Sequence, residues 1–291
     1  MTIWQGFTPR FIVSTGRTGT KFLVYLLNNL FNDIDVRHEP EINFLKLRYR
    51  FEVGKISLEN ATQEFLKLRY NLYNNVQEAT YIESNPYLST LIPIIKKIFS
   101  DYRIIHIVRD GREWLRSAMS RGIQESFVFK TSLPLVDVLR MIPINTDWYR
   151  KLNLLRINNI MKDIWRIRAI DFKDDPYRDL WNHMSQLERF AWKWQKINRF
   201  IQEAIKDDNK AMIIHFEDLF KQNYSGIQKI LDFFELDYSL DLKRSKLDSL
   251  LSEKINKTRS FRLSHWKNWE PEQMHKFNLI AGDLMRYYGY Y

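Results

Sequence analysis

The chain has 291 residues, 45% of them hydrophobic and 15% aromatic, enough apolar material for a sizeable core and too much for a disordered chain. It contains no cysteine, which excludes disulfides, thiolate metal sites and a cysteine nucleophile together. The formal net charge of +10 fits an ordinary lysine-rich surface or a polyanionic partner: a nucleotide, an acidic glycan, a nucleic acid or a membrane surface.

The first element is the apolar run Phe11–Val13, which predicts a strand. It leads directly into Ser14-Thr15-Gly16-Arg17-Thr18-Gly19-Thr20-Lys21. A helical spacing of apolar residues resumes at Phe22, Leu23, Leu26, Leu27 and Leu30. Strand, glycine loop and helix together make a phosphate cradle, because the helix N-terminus points free N–H groups at the loop. A Walker A loop places lysine directly after its last glycine and then a hydroxyl residue to ligate magnesium. Here Thr20 follows Gly19, Lys21 comes one place late, and Phe22 stands where the hydroxyl is needed. The remaining parts suit an anion held without a metal.

A short strand is expected at 34–37, ending in His38-Glu39-Pro40, and a helical region over 41–78. A strand at 79–84 stops at Asn85-Pro86, a helix follows at 88–99, and a buried strand at 103–108. Asp110 reads as the N-cap of a helix to about 121. From 127 to 177 the pattern loosens. An amphipathic helix spans 179–206, a last strand begins "KAMIIHFEDLF" at 210, and Glu217-Asp218 opens a further helix. Trp165, Trp181, Trp192 and Trp194 fall on helical patterns and read as core. Alternating strands and helices predict an α/β fold with a central, mainly parallel sheet between helical layers. With no repeat and no linker composition, residues 1–291 read as one domain with 127–177 an elaboration on it.

The six histidines form no HExxH or comparable pair, so a metal site built by the protein is not expected. The N-terminus lacks the basic and apolar regions of a signal peptide, and no apolar run approaches the ~20 residues of a membrane span. The expectation is a cytoplasmic protein, or a catalytic domain whose anchor lies elsewhere.

A second anion motif lies in "YRIIHIVRDGREWLRSAMSRG", residues 102–122. Arg109 sits at the carboxyl end of a buried strand, where open α/β sheets bind ligands. Ser117 lies eight residues on, ~2.2 helical turns, and returns to the same face. An arginine fork with a serine hydroxyl suits a second phosphate. The alternative pairs Arg109 with Asp110 and leaves Ser117 as packing.

With both motifs in hand, the chain resembles the sulfotransferases that use 3′-phosphoadenosine 5′-phosphosulfate (PAPS), over most of its length. The resemblance implies a three-layer P-loop-type fold. It implies that Arg17, Thr18, Gly19, Thr20, Lys21 and Phe22 cradle the 5′-phosphosulfate, and that Arg109 and Ser117 bind the 3′-phosphate. Late matches are "IIHFEDLF", a structural marker, and the closing "HWKNWEP…FNLIAGDLMRYYGY"; Arg259 and Arg262 just before it could also meet the 3′-phosphate. The implied reaction moves a sulfuryl group to a hydroxyl of a small metabolite or saccharide, with no metal required and no nucleic-acid partner. Arg17 takes the family's lysine position, where it can stabilise the departing phosphate but, always protonated, cannot donate a proton.

The attacking hydroxyl needs a general base. Aryl and steroid members carry a histidine near the position of Glu83-Ser84-Asn85-Pro86, and another branch a lysine there; this chain has neither. Several glycan and tyrosyl-protein members carry a glutamate on the segment after the first helix, which Glu39 matches. His38 is the runner-up, and Glu83 remains near the mouth. Two further readings stay open: a nucleotide-dependent kinase of P-loop type, weakened by the missing magnesium ligand, and a non-enzymatic polyanion-binding protein, which strong salt dependence would reveal.

Overall fold

The computed structural model describes residues 6–120, 166–221, 223–237, 240–252, 261 and 263–291. Five strands form one parallel sheet in the order β2-β3-β1-β4-β5, with β1 at Thr8–Ser14, β2 at Asp35–His38, β3 at Thr80–Ser84, β4 at Arg103–Val108 and β5 at Ala211–His215. Alternate residues of each strand face opposite sides of the sheet, and both sides are buried. Phe11 and Val13 pack in one apolar cluster with Tyr81 and Ile104; Ile12 packs in another with Ile82, Ile105 and Ile107. Burial on both faces explains why the central strands β1 and β4 carry the apolar runs Phe11–Val13, Ile104–Ile105 and Ile107–Val108.

The first helix after the glycine loop, α1 (Thr20–Leu30), covers the second face through Phe22, Leu23, Leu26, Leu27 and Leu30. The region expected to be helical over 41–78 is two helices, α2 (Leu45–Glu52) and α3 (Leu58–Asn74). They are separated at Gly54, whose φ of 69° is left-handed, and α3 restarts where the Ser57 hydroxyl accepts the Asn60 N–H. Next come α4 (Ile92–Ile98) and α5 (Gly111–Ser120). Asp110 is the N-cap of α5: its carboxylate accepts the Arg112 N–H at 2.8 Å and its carbonyl the Trp114 N–H at 2.8 Å.

Among the described residues after 165, α6 (Gln186–Ile205) starts seven residues later than expected. Ser185 and Glu188 form a reciprocal capping box there, satisfying two otherwise free N–H groups. Trp181, Trp192 and Trp194 are buried as expected; Trp165 lies outside the described residues, as does the 127–165 part of the elaboration. After β5, Glu217-Asp218 form a short 3-10 turn (Phe216–Phe220), not a long helix. Helices α7 (Ser225–Phe233), α8 (Leu240–Ser252) and α9 (Pro271–Tyr287) complete the described elements. No helix among the described residues is long and apolar enough to cross a membrane.

Strand β4 is tied to α6 through a polar contact inside the core. His106 Nε2 lies 2.9 Å from Asn198 Oδ1, and the Asn198 amide donates to the Trp194 carbonyl at 2.9 Å. The asparagine oxygen is thus an acceptor, so the proton sits on Nε2, and the buried Nδ1 has no partner among the described residues. Burial pushes the His106 pKa down to about 4. Because the folded value is below the unfolded one, His106 stabilises the fold above pH ~6.5, and that stability drains away between pH 6.5 and 4 at ~1.4 kcal/mol per unit. Urea unfolding at pH 7.5 and pH 5 measures this. The pH-dependent loss should be about 2 kcal/mol smaller in His106→Gln than in the parent; equal losses would place the titration elsewhere.

Candidate active site

The carboxyl ends of β2, β3, β1, β4 and β5 all open on one edge of the sheet, since every pair is parallel. The loop leaving β1 is the centre of that edge. Ser14, its last residue, is fixed by Ser89: the Ser14 N–H donates to the Ser89 hydroxyl at 3.1 Å, and that hydroxyl donates to the Ser14 carbonyl at 2.7 Å. The chain then turns left-handed at Gly16 (φ 73°), Arg17 (φ 61°) and Gly19 (φ 73°). Glycine is needed at 19 for a second reason, since a Cβ there would lie 3.0 Å from the Phe216 ring.

This backbone leaves a particular set of groups. The Gly16 carbonyl accepts the Trp114 indole N–H at 2.8 Å, and the Arg17 carbonyl accepts Arg109 Nη1 at 3.0 Å. The first bond of α1 runs from the Leu23 N–H to the Gly19 carbonyl at 2.9 Å, so helix geometry gives the N–H groups of Thr20, Lys21 and Phe22 no acceptor within the helix. The Thr18 side chain is wholly buried, and its hydroxyl has no partner among the described residues. The Gly16, Arg17 and Gly19 carbonyls are used while the first N–H groups of α1 remain, which is the polarity of an anion site. The Phe22 ring itself faces the core, 5.1 Å from the Phe220 ring centroid, so only its backbone belongs to the loop. Lys21 is exposed.

Arg109 extends from the end of β4. Its guanidinium lies 4.4 Å over the Phe216 ring, and its Nε has no partner among the described residues. Burial lowers its pKa, with Glu113, Glu217 and Asp110 opposing the shift. No carboxylate among the described residues forms an ion pair with it: the Asp110 carboxylate is taken by Arg112 through Nε and Nη2 at 3.0 and 2.6 Å. The Arg109–Asp110 alternative is therefore not what forms. Ser117 returns to the mouth as its spacing predicts, and accepts Arg17 Nε and Nη2 at 3.2 and 2.9 Å. Arg17, Arg109 and Ser117 are one cluster spanning two strand ends, and not two separate groups. Arg259 and Arg262 lie outside the described residues.

On the other side, Glu39 follows β2 in a left-handed conformation, φ 45°. Its N–H donates to the Ser84 carbonyl at 3.0 Å, and its carboxylate lies 3.7 Å from His38 Nε2. His38 Nδ1 is 3.1 Å from the same Ser84 carbonyl. With β3 between β2 and β1, two strand spacings of ~4.8 Å put Glu39 about 10 Å across the sheet from the loop. Glu83 is not available at the mouth. Its side chain is wholly buried, paired with Arg69, and accepts from Tyr81 and Asn85 at 3.0 and 2.9 Å.

Four contributors escaped the sequence reading: Trp114, Trp194 (indole N–H to the Arg109 carbonyl, 3.2 Å), Phe216 and Ser89. Trp114 lay inside the second motif, but its partner is 98 residues away in sequence, so local pattern could not reveal it.

A sulfotransferase domain model matches residues 8–279. The chain belongs to the sulfotransferase family. Among solved structures it is similar to the mouse sulfotransferase SULT7A1 complexed with PAP, at 13% identity over 97% of this chain and 86% of that one, with a TM-score of 0.50. It is also similar to the sulfotransferase domain of the Synechococcus PCC 7002 olefin synthase (14% identity, 96% of both chains, TM-score 0.43). A third similar structure is the sulfotransferase domain of the curacin biosynthetic pathway (13% identity, 96% of this chain and 98% of that one, TM-score 0.45). Comparison with curated protein sequences finds no match. The first likeness supports the P-loop-like fold of this sulfotransferase.

The left-handed turn is testable by itself. Gly19→Ala adds a Cβ to a φ of 73° and against Phe216, and should cost about 1–3 kcal/mol in urea unfolding. An unchanged midpoint would mean that the loop does not hold this conformation.

Proposed function

We propose that this sulfotransferase moves a sulfuryl group from PAPS to a hydroxyl of a small metabolite or saccharide. The observation that carries the reading is the loop at the end of β1, with its α1 N–H groups and Thr18 hydroxyl left over, beside the Arg109 guanidinium at the end of β4, which forms no ion pair among the described residues. One cluster of anion-binding groups reaching across the ends of two adjacent strands, β1 and β4, suits a donor with phosphate groups at two positions. The Thr18 hydroxyl, without a partner among the described residues, and the left-handed turn at Gly19 that aims the following N–H groups are the features such a ligand would use.

When bound, PAPS supplies the activated sulfuryl group. The chain supplies the rest. The N–H groups at the start of α1, with the Thr18 and Thr20 hydroxyls and Lys21, hold the 5′-phosphosulfate. Preorganised donors of this kind stabilise charge developing on leaving-group oxygens without reorganising. Arg17 reaches the same oxygens on exchanging its bond to Ser117 for one to the donor. Ser117 and Arg109 then hold the 3′-phosphate, and Trp194 and Phe216 keep Arg109 in place. Glu39 accepts the proton of the acceptor hydroxyl. His38, which donates its Nδ1–H to the Ser84 carbonyl and lies beside Glu39 through Nε2, can hold that carboxylate when Nε2 is also protonated. In this reading residues 1–291 form one catalytic unit, with 41–78 and 127–177 contributing to the acceptor pocket. No group of three or more metal-ligating side chains occurs among the described residues, and the proposed roles call on none.

Calorimetry with paired nucleotides tests the second subsite. Arg109→Ala should weaken 3′-phosphoadenosine 5′-phosphate about 30- to 100-fold (~2–3 kcal/mol), and Ser117→Ala less, while adenosine 5′-phosphate is nearly unaffected. Equal losses for both nucleotides would make these residues supports of the fold.

The base is tested by turnover on an alkyl alcohol found by screening acceptors with labelled PAPS; a phenol would ionise too readily to need help. Glu39→Gln should keep bisphosphate affinity and lower turnover by a factor on the order of 10²–10⁴, with His38→Gln doing much less. Near-normal turnover of Glu39→Gln would sink the assignment and return the search to His38.

A further inference from the structure

The mechanism leaves unexplained why a charged pair is buried directly beneath this edge of the sheet. Arg69 on α3 and Glu83 on β3 are both wholly buried. Arg69 also lies 5.2 Å from the Phe44 ring centroid and 4.9 Å from that of Tyr73. Taking two charges out of water is costly, and apolar residues of similar volume often serve stability as well or better. A pair kept in such a place invites a positional role.

The hydrogen bonds show what is positioned. Arg69 spends one arm on Glu83 and the Tyr73 hydroxyl, and the other, Nη1, on the Glu41 carbonyl at 3.3 Å. Glu41 lies two residues beyond Glu39. On the near side, the Glu39 N–H is held by the carbonyl of Ser84, the residue after Glu83. Glu83 also binds the Asn85 amide, and the Asn85 oxygen accepts the Tyr87 N–H at 3.0 Å, turning the chain at Pro86. That proline packs where a Cβ on Gly16 would come within 3.8 Å. Tyr73 and Tyr81 complete the shell, their pKa values raised by burial first and by Glu83 as well, so both remain protonated donors.

We infer that the Arg69–Glu83 pair is a positioning device for the reaction: it pins the left-handed Glu39 from both sides and ties that segment to the β3 exit beside the donor loop. The inference rests on the reading of Glu39 as the base. Arginine is suited to it because one planar fork reaches the Glu83 carboxylate and the Glu41 carbonyl together, which a lysine cannot do.

Two variants make the test. The double variant Arg69→Met, Glu83→Gln removes both charges, so no lone buried charge unfolds the protein. Arg69→Lys keeps the charge and loses the fork. Hydrogen exchange is read on the 38–43 segment, and turnover on the same alkyl alcohol. In both variants exchange of the Glu39 amide should speed up about tenfold or more while the β1 and β4 amides keep their protection. Turnover should fall about 10- to 100-fold with affinity for 3′-phosphoadenosine 5′-phosphate unchanged. In a Glu39→Gln background the same changes should cost almost nothing further, since they act through Glu39. Unchanged exchange at 38–43, or a full additional loss in the Glu39→Gln background, would overturn the positioning role. Failure of the base reading looks different: Glu39→Gln alone then turns over normally, and the pair loses its catalytic meaning.

Discussion

The site depends on the left-handed turn that ends β1. Once Gly16, Arg17 and Gly19 take positive φ, the loop has to dispose of its carbonyls, and it does so by long-range bonds. Trp114 takes the carbonyl of Gly16 and Arg109 that of Arg17. What faces the mouth is then a set of N–H groups, a buried hydroxyl and guanidinium groups. Such a set repels a bare cation and attracts an anion. The chemistry follows from which half of each peptide is already occupied.

Everything around the loop serves to hold that arrangement. Trp194 fixes the carbonyl of Arg109 while Phe216 lies against both its guanidinium and Gly19. The late Glu-Asp-Leu segment proves to be a brace. Glu217 accepts the Asp110 N–H at 3.3 Å and the Tyr290 hydroxyl at 2.8 Å, while Arg112 reaches the Tyr291 carbonyl at 3.1 Å. The closing residues of α9 and beyond are thereby tied to the start of α5, the helix that carries Ser117. On the other flank, buried charge does the same work, linking α3, β3 and the Glu39 segment.

Much of this was legible in the sequence, for identifiable reasons. Strand β4 is legible at its observed bounds because four β-branched apolar residues, Ile104, Ile105, Ile107 and Val108, end at the charged pair Arg109-Asp110. Asp110 is legible as an N-cap because it stands directly between a strand and a helical pattern, where its carboxylate can accept an N–H of the first turn. The late start of α6 was also written locally, as Ser185-x-x-Glu188, and the break between α2 and α3 as Gly54 and Ser57; the apolar periodicity running past them concealed both. Glu83 was a different kind of miss. Its place at a strand end suggests exposure, and only the fold brings Arg69, Tyr73 and Tyr81 around it. Likewise the bond between Arg17 and Ser117, which merges two motifs into one cluster, joins residues 100 apart.

The central claim is that the loop and Arg109 hold a nucleotide carrying two separate phosphate groups by fixed donors alone. Its most direct test is titration of the protein with 3′-phosphoadenosine 5′-phosphate in excess chelator, beside adenosine 5′-phosphate and beside ATP with magnesium. The account predicts a dissociation constant on the order of micromolar or tighter for the bisphosphate, about −8 kcal/mol, unchanged by chelator, with the monophosphate at least tenfold weaker. Bisphosphate binding that disappears with chelator, or ATP with magnesium binding more tightly than the bisphosphate, would contradict it.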